Sequence, residues 1–431
     1  MRRAGARLAL CLIILGAAGE ARAWDPLELY GFTARGTGLA GALTAGADDV
    51  SAAFYNPAGV ALAREAQVAL GWSYARLAVT LDGKDAQLLD PHGASIGVAL
   101  PWQLGEVTAA FGLGLYLPDQ FVVRLQMVPQ SEKHFGLLDN NAHRLVANAM
   151  AAVRWRAVAL GAGASFLADA AGRGITFDVG LSGGEKVGRA ALDYGLPTRA
   201  APMVGLLVTP SERLRLGFSY RGELDLRMAL DILANVDVAG VVTGDAIISL
   251  RAVNFFTPAK LAFGARLLLG SDLALMADLV YFRWSAMNGG TPDLQVAVHL
   301  GVSPPLVSAL FPPDGYQDTL SERVGAEYTR RLGARARLRL RGGLAFEPSP
   351  VPDQRGLTSV ADNDRVVVGL GAGVDLMDQS GILRHPLSLE AGFQYQHLLE
   401  RTTLKADVAL GPGFTSGGDI FALGLTATGR F

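Results

Sequence analysis

Two short motifs in this sequence have the residue types of known active sites. Residues 93–97 read GASIG, which matches the turn that presents a nucleophilic serine in α/β hydrolases, here Ser95. Residues 36–41 read GTGLAG, which matches the glycine-rich loop that holds the phosphates of a dinucleotide. The first motif requires a turn from a strand into a helix, but Ser95 lies within a strand pattern, and no apolar strand precedes the second motif. Neither motif predicts an active site by itself.

The six histidines do not have the spacing of a metal site. They stand at positions 92, 134, 143, 299, 385 and 397, and none forms an HExxH pair. His134 and His143 share one polar stretch with Asp139, so a hydrolase of acyl lipids that uses Ser95 and His143 remains an alternative. Solvated polar residues of a loop explain the same stretch more simply. We expect no metal and no cofactor.

A row of arginines occupies every second position of residues 335–341, which read RARLRLR. Such a row could bind phosphate groups. Carboxylates such as Glu327, Glu223 or Asp225 on other strands offer a better explanation, an ion-paired inner wall, because unpaired charges in a confined space are costly. We therefore expect no nucleic-acid partner.

Residues 1–23 have the pattern of a secretory signal peptide. Three arginines precede an apolar run, and an Ala-Arg-Ala cleavage pattern ends it. This segment holds the single cysteine, Cys11, four of the 38 basic residues and one of the 40 acidic residues, so the remaining chain has a formal charge of −5. Disulfides and cysteine-based metal sites are excluded there. Although 50% of all residues are hydrophobic, no later apolar run reaches the ~18 residues of a membrane-spanning helix.

Alternation of apolar and polar residues predicts long β-strands. In residues 213–230 the even positions are apolar or glycine and the odd positions are mostly charged, and residues 386–396 and 421–431 repeat the pattern. Several runs reach the ~9–11 residues of a tilted membrane strand, against ~5–6 in globular sheets. About fourteen strands are expected, near residues 66–81, 92–102, 106–117, 143–155, 157–182, 198–209, 213–232, 246–269, 272–286, 319–331, 334–346, 364–376, 386–404 and 418–431.

The connections between these strands alternate between short and long. The short ones lie near residues 103–106, 155–156, 210–212, 270–272 and 332–334, and the long ones include 118–142, 287–318 and 347–363. Short periplasmic turns and long outer loops are typical of bacterial outer-membrane barrels. An even strand number places both chain ends at the periplasmic side, with Phe431 at the rim where the last strand pairs with the first. The predicted fold is an all-β, transmembrane antiparallel barrel in the outer membrane of a Gram-negative bacterium.

Residues 24–65 lack this alternation and are rich in glycine and alanine. A structureless stretch of this length is unusual in a compact domain, but it would fit inside a wide barrel. The predicted organisation is therefore a signal peptide at residues 1–23, an N-terminal hatch at 24–65 inside the lumen, and the barrel at 66–431.

Four ordered stretches resemble the outer-membrane long-chain fatty acid transporter family (FadL/TodX type). Residues 36–61, GTGLAGALTAGADDVSAAFYNPAGVA, resemble the family's hatch, and residues 257–285, 314–328 and 346–365 follow in the family's order. The last block contains the family's Ser-Pro-Val-Pro and its closing Asp-x-Asp-Arg. The chain departs from the pattern at Ser321, where many members have an arginine.

The resemblance implies a fourteen-stranded barrel, a hatch, and gradient-driven uptake of hydrophobic molecules, most simply long-chain fatty acids, with sideways exit into the membrane. The candidate residues are Phe54, Tyr55, Asn56, Pro57, Ala58 and Gly59 in the hatch; Gly112, Gly114 and Pro118 at the lateral exit; Phe121, Leu125, Met127 and Phe135 in an outer-loop ligand groove; and Arg323, Arg144 and Lys133 as partners of a carboxylate.

Other partners that we expect are outer-membrane lipids, lipopolysaccharide and the barrel-assembly machinery, with the chain itself a monomer. Three further interpretations stay open. One is a channel for aromatic hydrocarbons in the same family, one is the lipid-modifying enzyme, and one is a structural or adhesive barrel with no ligand in its lumen.

Overall fold

The structure is a computed structural model that describes most of the chain beyond the expected signal peptide. The described residues are 26–120, 132–139, 145–168, 171–180, 190–195, 198–238, 242–287, 293–299, 315–333, 335–377 and 386–431. The predicted signal peptide lies outside them. Among the described helices, none is both long and apolar enough to cross a membrane.

Strands dominate the described residues. They are β1 (Gln67–Leu81), β2 (Lys84–Asp85), β3 (His92–Leu104), β4 (Val107–Pro118), β5 (Val146–Trp155), β6 (Val158–Ala168), β7 (Ala171–Gly180), β8 (Ala190–Gly195), β9 (Thr198–Val208), β10 (Leu214–Arg221), β11 (Leu224–Val238), β12 (Val242–Thr257), β13 (Ala259–Leu269), β14 (Leu273–Arg283), β15 (Asp293–His299), β16 (Thr319–Leu332), β17 (Ala336–Glu347), β18 (Arg365–Leu376), β19 (Leu387–Thr403) and β20 (Phe414–Arg430).

Fourteen of these strands form a closed antiparallel barrel, as the sequence predicted. Around the barrel the order is β1, β20, β19, β18, β17, β16, β14, β13, β10, β9, β6, β5, β4 and β3, and β3 pairs again with β1. The last strand pairs with the whole length of the first, from Gln67 opposite Arg430 to Leu81 opposite Ser416. The Phe431 N–H donates to the carbonyl of Ala66 at 2.9 Å. The start of β1 and Phe431 therefore lie at the end of the barrel that carries the short turns.

The side chains follow the predicted alternation. In β20 the outward residues Phe421, Leu423 and Leu425 are exposed, while the residue between the first two, Ala422, is buried. In β16 Ser321 and Arg323 are buried on the inner face. The apolar face of the barrel is thus on the outside, where a water-soluble β-protein would have its polar face.

Three predicted strands are wrong in their extent, because each spans two strands of the structure. The predicted strand 213–232 breaks at residues 222–223 into β10 and β11, and 246–269 breaks at Pro258 into β12 and β13. The predicted strand 157–182 covers β6 and β7. Beyond each break the chain continues as a strand of another sheet, so the alternation of apolar and polar residues does not stop. The strand order of this second sheet is β15, β12, β11, β7, β8, and β7 and β11 are parallel. Pro258 has no N–H to donate, which favours a break there.

The described part of the hatch, residues 26–65, lies inside the barrel. It contains three short helices, α1 (Pro26–Tyr30), α2 (Ala34–Gly38) and α3 (Ala52–Tyr55), followed by a 3₁₀-helix at Pro57–Leu62. Almost every residue from 26 to 63 is buried. The helices contact strands on opposite sides of the barrel, α2 against β18, β19 and β20, and the 3₁₀-helix against β4, β5, β6 and β9. The segment of the predicted hatch therefore contacts opposite walls of the lumen.

Candidate ligand site

Asn56 anchors the hatch to the barrel wall. Its side-chain amide donates to the carbonyls of Leu206 in β9 and Phe218 in β10, at 3.3 and 3.2 Å, and to Thr44 at 2.8 Å. Its side-chain oxygen accepts the N–H of Ala58 at 3.1 Å, which caps the 3₁₀-helix that begins at Pro57. One amide thus connects two parts of the hatch with two wall strands.

Phe54 lies beneath two cations of the wall. The Arg221 guanidinium carbon is 4.3 Å from the centre of the Phe54 ring, and Lys260 Nζ is 4.9 Å from it. Arg221 also donates to the Phe54 carbonyl at 2.6 Å. Cation–π contacts of this kind are strongest where water is excluded, and all three residues are buried. The candidate hatch residue Phe54 therefore carries part of a cationic site.

The carboxylate of Glu28 in α1 occupies the centre of this cationic site. One oxygen accepts from Lys260 Nζ, and the other lies 3.2 Å from a terminal nitrogen of Arg323. Burial would raise the pKa of Glu28, but the charges of Lys260, Arg323 and Arg221 outweigh it and hold the pKa at about 2. Glu28 is therefore ionised at every physiological pH.

A second carboxylate, Glu347 of β17, completes the site from the wall. Glu347 accepts from Arg323 at 3.0 Å and from Arg365 of β18 at 2.7 Å. We call Glu28, Arg221, Lys260, Arg323, Glu347 and Arg365 the upper charge cluster, because these residues stand toward the end of the barrel that carries the long loops.

An apolar cluster lies beside the upper charge cluster. It consists of Leu137, Phe256, Phe282, Trp284, Met287, Tyr316, Val351 and Val360, all buried. Trp284 stacks near Tyr316, with ring centres 6.4 Å apart, and near Phe256, at 6.1 Å. We call these residues the outer apolar cluster. Besides strand ends, three long connections contribute to this one apolar surface: β4–β5 with Leu137, β14–β16 with Trp284, Met287 and Tyr316, and β17–β18 with Val351 and Val360.

A small cavity joins the two clusters. Its walls are Glu28, Arg221 and Lys260 on one side, and Phe282 and Trp284 on the other, with Thr257 and Pro258 between them. A second small cavity lies against Arg323, Glu347 and Tyr55. Cations therefore directly border aromatic carbon in a buried place, which is the arrangement that an amphiphilic anion needs for its head and its chain.

A separate, denser network of charges fills the end of the lumen with the short turns. Arg35 of α2 binds Asp48 and Asp49 at 2.8 Å each, and Glu327 of β16 at 3.1 Å. Arg341 binds the same Glu327 at 2.7 Å. We call this the lower charge network. It places ions, and not hydrocarbon, where the hatch meets the lower part of the barrel wall.

The arginine row of β17 belongs to the lower charge network and is ion-paired, but with a different set of carboxylates from the predicted one. Arg341 pairs with Glu327, as expected, and Arg339 pairs with Asp375 at 2.6 Å and Glu390 at 3.3 Å. Of the other two predicted carboxylates, Glu223 is exposed and Asp225 lies 3.9 Å from Arg199. The alternation showed which face the arginines occupy, but partners on other strands depend on register, which the sequence does not show.

The predicted carboxylate partners fall in three different places. Arg323 lies in the upper charge cluster, where protein carboxylates already bind it. Lys133 binds Asp82 at 2.5 Å near the barrel surface. Arg144 is outside the described residues. The role of each toward a ligand stays a prediction.

The predicted lateral-exit residues lie in β4. A Cβ added to Gly112 would meet Val60 of the hatch at 2.8 Å, and one added to Gly114 would meet Ala53 and Phe32 at 3.0 Å. The two glycines therefore leave room for the hatch. Backbone pairing continues through both positions on both sides of β4, and Pro118 still pairs with Gly93. Exit at this strand stays a prediction.

The predicted outer-loop groove is only partly described. Phe121, Leu125 and Met127 lie outside the described residues. Phe135 is fully buried, packed with the large core cluster that includes the hatch. The neighbouring Leu137 belongs to the outer apolar cluster instead. Leu137 lies in the short helix α4 (Gly136–Asp139), which begins directly after Phe135.

The sequence motifs for catalysis sit in places without a supporting arrangement among the described residues. Ser95 lies within β3, opposite Gly71 and Tyr116, and not at a strand-to-helix turn. His143 is outside the described residues. No three His, Cys, Asp or Glu side chains of the described residues are grouped as a metal ion would require.

Five residues of the upper charge cluster were not predicted from the sequence: Glu28, Arg221, Lys260, Glu347 and Arg365. For Lys260 the sequence contained a signal, since this lysine is the one charged residue on the inward-facing positions of TPAKLAFGA. Glu347 and Arg365 gave a similar signal, because each is a charged residue at the strand end next to the Ser-Pro-Val-Pro loop. For Glu28 no signal existed, because its segment has no strand parity from which a direction could be inferred.

Comparison with known proteins gives a family and several related folds. A family model described as outer membrane protein transport protein (OMPP1/FadL/TodX) matches residues 200–431. A Pseudomonas aeruginosa FadL homologue has a TM-score of 0.56 and 18% identity, over 93% of this chain and 98% of that one. The P. putida toluene transporter TodX has a TM-score of 0.52 and 16% identity, over 94% and 99%. At these identities the two structures are similar to this chain in fold.

A curated relative matches a short stretch at higher identity. Alkane uptake protein A of Marinobacter nauticus is 39% identical over 88 residues. This stretch is 20% of this chain and 18% of that protein's length.

Proposed function

The chain belongs to the family of outer membrane transport proteins (OMPP1/FadL/TodX), and we propose that within this family it takes up long-chain fatty acids from outside the cell. The family transports hydrophobic compounds across the outer membrane of Gram-negative bacteria. In our proposal the long loops face outward, the chain ends face the periplasm, and the substrate gradient drives the transport.

One observation carries the choice of a fatty acid. A neutral hydrocarbon needs only an apolar pocket, whereas this lumen places Lys260 and Arg221 beside Phe282 and Trp284. Buried cations cost free energy unless an anion pairs with them, and charge-assisted hydrogen bonds to a carboxylate are the strongest neutraliser. An acyl chain would separate the packed side chains of the outer apolar cluster and gain roughly 0.8 kcal/mol for each buried methylene.

The lower charge network supports a sideways exit. A chain that passed straight through the lumen would have to leave hydrocarbon surroundings and cross the ion pairs around Arg35 and Glu327. On that route the acyl chain would lose the free energy that it gained when its methylene groups left water. We propose that part of the hatch moves and that the acyl chain leaves through the wall, with Gly112, Gly114 and Pro118 of β4 as the candidate place.

Uptake of labelled oleate by whole cells that depend on this protein tests the proposal. We expect the combined substitution of Asn56 by Ala and Pro57 by Ala to change the uptake rate several-fold, because Asn56 holds the hatch to β9 and β10. The control is Arg64→Ala, an exposed position at the end of the hatch. Absence of oleate uptake by the unaltered protein would remove the proposed substrate. Unchanged uptake by the correctly assembled double variant would remove the role of the hatch.

Hydrocarbon uptake is the second candidate. The observation in its favour is the 39% identity to alkane uptake protein A over 88 residues. The same cells supplied with labelled hexadecane distinguish the candidates, since an alkane carrier should take up hexadecane at least as fast as oleate.

A further inference from the structure

We propose that Glu28 occupies a binding site for the carboxylate of an amphiphilic ligand, and that the ligand releases helix α1 of the hatch by taking the place of Glu28. The site is the cationic side of the cavity between the two clusters. The inference rests on the proposed function and adds the chemical event that couples ligand binding to movement of the hatch.

Charge balance is the first argument. Among the described residues, the upper charge cluster contains four cations and two carboxylates, and only Glu28 of those two belongs to the hatch. If α1 moved away alone, Lys260 would lose the carboxylate that binds it, and Arg323 would lose one of its two. Buried charge without a partner is strongly unfavourable, so the hatch is held until another anion arrives. Exchange of one carboxylate for another keeps the balance.

Unused hydrogen-bonding capacity is the second argument. Arg323 is 4% exposed, and its Nε has no hydrogen-bond partner among the described residues. Its terminal nitrogen is shared between Glu28 at 3.2 Å and Glu347 at 3.0 Å. A guanidinium group can bind a carboxylate through two parallel hydrogen bonds, and Glu28 uses only one of them here. A free ligand carboxylate, which no backbone constrains, could use both.

The position of the aromatic side chains is the third argument. The same cavity that contains the Glu28 carboxylate is bordered by Phe282 and Trp284 of the outer apolar cluster. A carboxylate bound to Lys260 would therefore have its chain directed among these rings, toward the long loops. The glutamate side chain offers no such hydrocarbon tail. A fatty acid has the head group that Glu28 imitates together with the apolar contacts that Glu28 lacks.

Helix α1 is a short element with its own contacts to the barrel. It has five residues. Its carboxylate contacts Lys260 and Arg323, and the carbonyl of Leu29 accepts from Gln396 Nε2. Arg35 and Asn56 hold the later parts of the hatch through separate contacts. Loss of the Glu28 contacts would therefore remove the ion pairs of α1, which the Tyr30 and Tyr116 hydroxyls still join to β4, and leave the later anchors in place.

Binding of oleate and oleyl alcohol to the purified full-length protein tests the inference. The two ligands have the same chain, but only oleate has a charged head. In Glu28→Gln the internal competitor is gone, so we expect oleate to bind at least tenfold more tightly, with oleyl alcohol changed less than twofold. The matched control is Glu65→Gln, which removes the same charge from an exposed position of the hatch and should behave as the unaltered protein does.

A second measurement keeps Glu28 intact. The chain beyond residue 23 has no cysteine, so Leu29→Cys places a single thiol at a buried position of helix α1. We expect oleate to accelerate thiol labelling at least fivefold and oleyl alcohol to leave it unchanged.

The inference fails if oleate binds Glu28→Gln no more than twofold more tightly, if both ligands gain equally, or if both or neither accelerate the labelling. The proposed function would still hold in these cases, provided that the unaltered protein takes up oleate in cells. Conversely, tight and selective binding of oleate to Glu28→Gln without uptake by cells would overturn the proposed function, but it would support the carboxylate site.

Discussion

The ion pairs of Arg35 and of Glu28 differ in whether a ligand could replace them. Arg35 belongs to the part of the hatch that is firmly held, and Glu28 to the part that can move. Arg35 has three carboxylate partners, and one of them, Glu327, also binds Arg341. Removing one partner from a buried network costs about 3–5 kcal/mol, because it leaves uncompensated charge. No mobile ligand on the apolar side could supply a replacement cation there. A fatty acid can, however, replace Glu28, so movement is expected at α1 and not at α2.

Asp362, in the loop between β17 and β18, has the opposite electrostatic situation from Glu28. Burial raises its pKa to about 6, although the charge of Arg365 and the hydroxyl of Ser349 act against this. The pKa in the folded protein thus exceeds the ordinary value of 3.8. Protonated Asp362 therefore stabilises the loop, and this contribution is complete below pH 3.8. It is lost as the pH rises through about 6. We expect the loop to lose about 1 kcal/mol between pH 5 and 7.5, measured by hydrogen exchange of residues 347–363.

The variant Asp362→Asn should remove that pH dependence. The control is Asp353→Asn in the same loop, since hydrogen bonding and charge from Arg401 lower the pKa of the exposed Asp353. Its contribution is lost only as the pH falls through a value below 3.8, outside the measured range. Equal pH dependence in the unaltered protein and in Asp362→Asn would contradict the assignment to Asp362.

Strand β17 shows how the elements make room for the hatch. A Cβ added to Gly343 would come within 2.2 Å of the Leu39 carbonyl carbon, whereas a Cβ on the adjacent Gly342 would meet no atom within 4 Å. Gly343 faces the hatch and Gly342 faces outward. We expect Gly343→Ala to destabilise the docked hatch by about 1–3 kcal/mol and Gly342→Ala to be nearly neutral. Protease cleavage within residues 26–65 measures the difference. Equal cleavage of both variants would mean that the hatch does not lie against β17.

The same strand shows how far the sequence could predict the structure. Its alternation was sufficient for the strand, for its inward arginines and for the barrel class, because parity depends only on neighbours along the chain. It could not show that Gly343 meets Leu39, since that contact joins residues from a segment without periodicity. It also could not show the breaks before β11 and after β12, because a strand that enters a second sheet keeps its alternation. Glu28 of the upper charge cluster was missed for the same reason as the Gly343 contact, since it also lies in the segment without periodicity.

At the scale of the whole molecule, aromatic residues mark both edges of the apolar band. Near the short turns, Trp102, Trp155 and Phe431 are all more than half exposed. Near the long loops, the hydroxyls of Tyr74 and Tyr395 donate to Asp90 and Asp419 at 2.8 and 2.7 Å. Aromatic rings with a polar tip prefer the membrane interface. The leucines between these edges are therefore expected to touch lipid chains.

Two exposed leucines separate a membrane barrel from a water-soluble one. Leu425 lies midway along β20 and is 45% exposed, and Leu104 ends β3 beside a short turn and is 63% exposed. In a lipid bilayer an outward arginine costs about 2–4 kcal/mol near the midplane and about 0–1 near the interface. We therefore expect Leu425→Arg to destabilise the barrel by at least 2 kcal/mol more than Leu104→Arg, measured by urea unfolding in phospholipid vesicles. If the barrel were surrounded by water, the cost of an arginine would not depend on a distance from a bilayer midplane. Equal effects, or a larger effect at the more exposed Leu104, would therefore mean that the apolar face of the barrel contacts solvent and not lipid.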